Sequence, residues 1–324
     1  MKQGAHGGDI YKAAKYLGCN IDDIFDYSSN ISPWAVSVDV DTKCLSRLPE
    51  PHSESLAKAF SEKYGHRTEN VCIASGTTEI IEAVCRIYSG NSAKIFHPTY
   101  SDYSSYCNKY GIEITGSLLA GLCFICNPNN PTGATIERDV LLTTISKNIG
   151  TLFVVDESYM PFHLSEEVFS LTNELADNLI VLRSFSKIYG LPGLRLGGGI
   201  SGNSELIDKI KELISPWSVN SYAQQAGLRL LGANTKEPAE RLQRVKSDFL
   251  KELADIDYLE PIDSDVNFIL CKLSRGSSSE LFDHCLKERV LIRDCSNFEG
   301  LDDKFVRFAM TDNVKPLIKA LKGF

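Results

Sequence analysis

Short runs of continuous apolar residues alternate, through the middle of the chain, with stretches that are apolar at helical spacing. The runs are VCIA (71–74), AKIF (93–96), LCFIC (122–126), TLFVV (151–155) and LIVL (179–182). Between and after them, Ile80, Ile81, Val84 and Ile87 share one helical face, as do Leu206, Ile207, Ile210, Leu213 and Ile214. Strands apolar on both faces, joined by helices, predict an α/β fold with a mostly parallel sheet covered on both sides. Ligands bind such sheets at the carboxyl ends of the strands, so the informative residues should follow the runs. After Pro216 the pattern changes. A helix carrying Leu242, Val245, Phe249, Leu253 and Ile256 leads to the strand candidates VNFILC and FVRFA, then to a closing helix with Val314, Leu317, Ile318 and Leu321. This predicts a large unit over residues 41–215 and a smaller α+β lobe over 216–324, to which residues 1–40 return.

Composition narrows the partners. With 324 residues and 43% hydrophobic content, the chain can bury one large core and a smaller lobe. A formal charge of −8, without runs of Lys or Arg, argues against a nucleic-acid or anionic-membrane partner. The first thirty residues lack the apolar centre of a signal peptide, and no apolar run approaches the roughly 20 residues of a membrane span. A cytoplasmic location is the expectation. The ten cysteines are scattered in apolar company; only Cys123 and Cys126 form a C-x-x-C pair, with no second pair or nearby His at zinc-site spacing. Reduced, packed thiols and no metal site are expected.

Four segments behind the strand candidates carry chemistry. SFSKIYGLPGLRLGGG (184–199) follows LIVL and sets Lys187 between small hydroxyls, with Arg195 beyond a Gly- and Pro-rich turn. Ser184, Ser186 and Arg195 suit a phosphate-bearing group beside an imine-forming amine; a glycine-rich turn with an incidental lysine is the alternative. ASGTTEIIEAV (74–84) places Gly76, Thr77 and Thr78 where a strand gives way to a helix, either as an anion site or as a simple N-cap ahead of Glu79. CNPNNPTG (126–133) is a rigid turn at least, with Asn130 beside its second proline. In VVDESY (154–159), Asp156 ends an apolar strand where an unpaired carboxylate is costly, so it wants a cationic partner, such as a protonated pyridine nitrogen; Tyr159 stands three residues on.

Together SGT, PTY, NPNNPTG, DESY, SFSK and GLR resemble the fold-type-I pyridoxal-phosphate enzymes, the class I/II aminotransferases. The resemblance implies a mostly parallel seven-stranded sheet sandwiched by helices, a smaller α+β domain closing over the site, and a homodimer. It implies pyridoxal 5'-phosphate as cofactor, with Lys187 as the Schiff-base lysine and Asp156 as partner of the ring nitrogen. Asn130 and Tyr159 match the pair that meets the cofactor's phenolic oxygen, and Tyr100 the aromatic stacked on its ring. Gly76, Thr77, Thr78, Ser184, Ser186 and Arg195 match the phosphate cup, and Arg307 the grip on the substrate carboxylate. Along FVRFA, Val306 and Phe308 should face the core and Arg307 the opposite side.

AHGGDIYKAAKYLG, DYSSNISP, PWSVNSYAQ and LIRDCSNFEGL are similar to the threonine-phosphate decarboxylases of cobalamin biosynthesis, near relatives of histidinol-phosphate aminotransferases. That likeness implies a phosphorylated amino-acid substrate losing carbon dioxide, with His6 and Asn30 closing over it and Arg293 meeting its phosphate; transamination is the alternative. Bland readings remain for His6, a loose terminal residue, and for Arg293, a surface ion pair. Two positions depart from the pattern: Leu48 replaces a tyrosine that reaches the neighbouring subunit, and Thr311 a second arginine on the last strand. The chain is also short around residues 115–122. A binding protein keeping only the fold should have lost some of Lys187, Asp156, Asn130 and Arg195, yet all four are present.

Overall fold

The computed structural model describes residues 1, 4 and 6–324. Strand β1 (Phe25–Asp26) lies near the start. The next seven are β2 (Val71–Ala74), β3 (Ser92–Ile95), β4 (Glu113–Thr115), β5 (Leu122–Cys126), β6 (Leu152–Asp156), β7 (Leu179–Ser184) and β8 (Gly197–Ser201). They form one sheet in the order β2-β8-β7-β6-β5-β3-β4, parallel except for β8, which runs antiparallel to both neighbours.

The apolar runs explain the layers. Side chains alternate across a strand, so β5, β6 and β7 feed two separate cores. Phe124, Val154, Ile180 and Leu182 pack in one with Ile80, Ile81 and Val84 of the helix Thr77–Ile87. Ile125, Phe153, Val155 and Val181 pack in the other with Leu141 and Ile145 of the helix Arg138–Lys147. Helices thus cover both faces of a sheet whose central strands are buried throughout.

Where the apolar runs misplace a strand end, a charge is involved. AKIF ends one residue early, at Ile95: Phe96 is outside the strand and half exposed, with the Lys94 ammonium 4.9 Å from its ring centre. LIVL continues through Arg183 to Ser184, because Arg183 is buried against Glu157, 3.1 Å away, and Glu166. The three glycines 197–199 build strand β8. A β-carbon at Gly197 would stand 2.5 Å from the Thr77 nitrogen, and one at Gly198 2.9 Å from the Phe60 ring. Backbone approach that close requires glycine.

The remaining strands are β9 (Leu259–Pro261), β10 (Phe268–Leu273), β11 (Val290–Leu291), β12 (Arg293–Asp294) and β13 (Phe305–Ala309). Four make an antiparallel sheet in the order β12-β13-β10-β9, while β11 pairs in parallel with β1 and so ties the start of the chain to this part. The helices Lys236–Leu253, Ser278–Lys287 and Lys315–Lys322 pack here through Leu242, Phe249, Leu281, Leu317 and Leu321. All ten cysteines are free. Among the described residues no group of His, Cys, Asp and Glu is arranged to hold a metal, and no helix is long and apolar enough to cross a membrane.

Candidate active site

The carboxyl ends of β2, β3, β5, β6 and β7 open into a cavity of about 330 Å³, bounded on its far side by β12, β13 and the chain start. Every candidate residue lines it except Ser184, whose Oγ instead accepts the Ser186 N–H at 3.1 Å.

Lys187 follows β7. Its Nζ donates to Asn30 Oδ1 at 3.2 Å and lies 5.6 Å from the Tyr159 ring centre. Burial, helped by the positive charges of Arg307 and Arg195, lowers its pKa from 10.5 to about 8. A lysine in that range offers a neutral amine near neutrality, which nucleophilic attack on a carbonyl requires.

Asp156 ends β6 buried. Its Oδ1 accepts the Ser158 N–H at 3.0 Å and the Ser158 hydroxyl at 2.5 Å, and its Oδ2 accepts the Tyr103 hydroxyl at 3.0 Å. Burial raises its pKa despite these donors and the Lys187 charge. Tyr103 was not singled out in the sequence, although PTYSDY sets it one helical turn beyond Tyr100. Its ring stacks on Phe124 at 5.1 Å, so the hydroxyl is fixed under the carboxylate. Glu157, next in DESY, faces away from the cavity: it is buried against Arg183, the Ser170 hydroxyl and the Leu171 N–H.

The two loop asparagines before Asn130 hold the turn. Asn127 bonds both backbone groups of Ile136, and Asn129 takes the Thr99 hydroxyl at 2.8 Å. This leaves Asn130 facing the cavity, where its Oδ1 accepts from Arg307. The Tyr159 hydroxyl accepts from Asn30. Asn30 therefore bridges Lys187 and Tyr159, a connection no local motif reveals.

At the end of β2, Gly76 has φ +87°, and a β-carbon there would meet Arg195 Nη2 at 2.9 Å. The guanidinium is thus set against a glycine at the start of the helix Thr77–Ile87, and Gly76, Thr77 and Thr78 all line the cavity. The arrangement is a cradle for an anion. Glu79 turns back to accept the Ser75 N–H at 2.6 Å.

On the far wall, Arg293 and Arg307 sit directly opposite each other on β12 and β13. Both are buried, which removes the surface-ion-pair reading of Arg293. Arg307 donates to the Ser28 carbonyl at 3.1 Å as well as to Asn130. Arg293 donates to Asn297 Oδ1 at 2.7 Å and lies 5.0 Å from the Phe298 ring centre. Burial, with a contribution from Arg307, lowers the Arg293 pKa to about 10. His6 is half exposed, its Nε2 3.1 Å from Asp102 Oδ1. Leu48 and Thr311 lie outside this cavity, Leu48 being 76% exposed.

Residues 39–321 match the family of class I and II aminotransferases, and the chain belongs to that family. It is 29% identical to the threonine-phosphate decarboxylase of Salmonella typhimurium, the match covering 94% of this chain and 92% of the relative. The crystal structure of L-threonine-O-3-phosphate decarboxylase from Porphyromonas gingivalis superposes with a TM-score of 0.83 at 28% identity, covering 93% of this chain and 99% of that one. The histidinol-phosphate aminotransferase of Clostridium acetobutylicum superposes with a TM-score of 0.84, also at 28% identity, over 93% and 98% of the two chains.

The protein is accordingly a fold-type-I enzyme dependent on pyridoxal 5'-phosphate. The site suits that group: an amine of lowered pKa, a buried carboxylate and a glycine-lined anion cradle share one cavity. Gly76→Ala tests the cradle. With φ +87° and ψ 161°, Gly76 sits in a region open essentially to glycine alone, which costs a residue with a side chain about 1–3 kcal/mol, and the methyl would also displace Arg195. Cofactor affinity, measured by absorbance titration of the cofactor-free protein, should fall about tenfold or more. Unchanged affinity would remove Gly76 from the cup.

Proposed function

We propose that the protein releases carbon dioxide from L-threonine phosphate, giving aminopropanol phosphate, as a step of cobalamin biosynthesis. The observation that carries this reading is the buried pair Arg293 and Arg307, opposed across two strands on the substrate side of the cavity. Like charges directly opposite in a sheet repel, so the pair favours a substrate with two anionic groups. Threonine phosphate has a carboxylate and a phosphate. Histidinol phosphate has no carboxylate, and transamination with it as donor is the second reading, kept by the likeness to the Clostridium enzyme.

In this reading Gly76, Thr77, Thr78, Ser186 and Arg195 would hold the cofactor phosphate, and Ser184 would act only through its bond to the Ser186 N–H. Tyr100 would pack on its ring, Asn130 and Tyr159 would bind its phenolic oxygen, and Asp156 its ring nitrogen. When bound, pyridoxal phosphate supplies an electron sink for the bond that breaks at the substrate's Cα. Arg307 takes the substrate carboxylate and Arg293 its phosphate, orienting the Cα substituents. His6 and Asn30 close over the substrate and exclude water. Lys187, in its ammonium form, would be the acid that gives a proton to the substrate Cα in place of the lost carboxylate, returning to the neutral amine. Residues 41–215 act as the cofactor-binding unit, with 1–40 and 216–324 closing on it, in a cytoplasmic homodimer that lacks the family's tyrosine contact at Leu48.

Carbon dioxide release from threonine phosphate, with no 2-oxoacid present, is the decisive assay. Amino transfer to a 2-oxoacid without gas release would instead establish the second reading. Arg293→Gln should raise the KM for threonine phosphate by one to two orders of magnitude, since a charge-assisted bond to phosphate is lost. Activity on unphosphorylated threonine, however small, should change far less. Equal losses on both substrates would separate Arg293 from the phosphate.

A further inference from the structure

Asp102 lies just outside the cavity, in the first turn of the helix Ser101–Lys109 that follows Tyr100. It takes donors on both oxygens: the Tyr100 hydroxyl reaches Oδ2 at 2.6 Å, and His6 Nε2 lies 3.1 Å from Oδ1. Burial would raise this carboxyl, yet the bonds from His6 and Tyr100 outweigh it and its pKa falls below 3.8. The His6 ring stands 5.8 Å from that of Tyr100. His6 is thus fixed over the aromatic edge of the cavity by a charge that does not itself line it.

The next two residues are fastened on the opposite side. A β-carbon at Gly7 would lie 2.2 Å from the Ser28 carbonyl oxygen, so only glycine fits so close to this backbone. The Gly8 N–H donates to Ser28 Oγ at 2.7 Å, and that hydroxyl donates to Asp26 Oδ1 at 2.6 Å. The Ser28 carbonyl is the group that accepts Arg307 Nη2. Residues 6–8 therefore form a strap, pinned at one end beside Tyr100 and at the other to the loop that orients Arg307.

We propose that Asp102 is a positioning residue for substrate: by holding His6 it keeps the strap His6–Gly8 closed over the cavity, so that substrate affinity depends on the His6–Asp102 contact and not on the bond from Asp102 to Tyr100. The kinetic part rests on the proposed substrate, and the strap itself does not.

The test uses the cofactor-loaded protein carrying Asp102→Ala, Asp102→Asn or His6→Ala, and the double variant Asp102→Ala with His6→Ala. Asp102→Ala and His6→Ala should each raise the KM for threonine phosphate on the order of tenfold, with kcat within about threefold, and the double variant should add nothing, because the two residues act as one contact. Asp102→Asn, which keeps the side-chain volume, should shift KM in the same direction. Hydrogen exchange without substrate supplies the second readout. The Gly8 amide should exchange faster in both single variants, and remain slow in Tyr100→Phe, which removes only the hydroxyl. Additive effects, an unchanged Gly8 amide, or a loss traced to weaker cofactor binding would each overturn the proposal. Should the wild type fail to turn over threonine phosphate, the functional reading falls, and the exchange data still decide the strap.

Discussion

Lys187→Ala is expected to lower turnover by on the order of 10⁴-fold, the upper range for loss of a positioned acid–base group, and to end covalent capture of the cofactor. The reason lies in where the amine is held. β7 runs apolar and buried as far as Leu182, then delivers Lys187 into the cavity, where Asn30 is its hydrogen-bond partner and Arg307 and Arg195 disfavour its charge. Its pKa near 8 fixes a pH signature. Below that value each unit of pH raises the neutral fraction about tenfold, so the rate at which cofactor-free protein captures pyridoxal phosphate should climb between pH 6 and 7 and flatten above about 8. An unperturbed lysine would keep climbing beyond pH 9. Borohydride reduction of the loaded wild type, followed by peptide mass analysis, should place the cofactor on Lys187. Attachment at another lysine would sink the assignment. The substitution removes a disfavoured buried charge, so the variant should fold at least as well as the wild type, and loss of activity without loss of melting temperature separates chemistry from stability.

Local pattern carries the central sheet because both faces of β5 and β6 are apolar, and a buried strand needs little else to be recognised. The motifs were legible for a related reason: a strand's carboxyl end is fixed in sequence, so Asp156 and Lys187 must emerge at the same edge once their strands are neighbours. β8 was hidden because glycine has no side chain to show an alternation, and its existence depends on Thr77 and Phe60, residues far away in sequence. Tyr103 looks like one more apolar helix position until Asp156 is placed beside it. The opposition of Arg293 and Arg307 is a matter of strand register, which no spacing along the chain encodes. Asn30 is similar: its amide joins Lys187 to Tyr159 across 157 and 129 residues of sequence, respectively. Local chemistry was readable, and contacts made by long-range pairing were not.

Asp156→Ala should lower turnover on the order of 10³-fold while leaving some cofactor bound. The carboxylate is costly to hold: burial raises its pKa, and Ser158 with Tyr103 spends three donors to keep it charged. Such a charge is stabilised further by a cation brought against it, and a protonated ring nitrogen would be that cation, with its proton retained in return. Without Asp156 a bound ring nitrogen would lose the group proposed to favour its protonated form, and the electron sink that the cofactor supplies would weaken. The Gly76–Arg195 corner proposed for the phosphate and the amine of Lys187 are untouched, so binding should fall less than rate. Alanine also strands the Tyr103 and Ser158 donors, at about 1–3 kcal/mol for each buried group left unpaired, and the melting temperature should drop accordingly. Asp156→Asn controls for that loss by keeping the volume while removing the charge. If the asparagine variant is as slow as the alanine variant yet melts closer to the wild type, the charge is what catalysis uses. Near-normal turnover in either variant would contradict the role of Asp156 at the ring nitrogen.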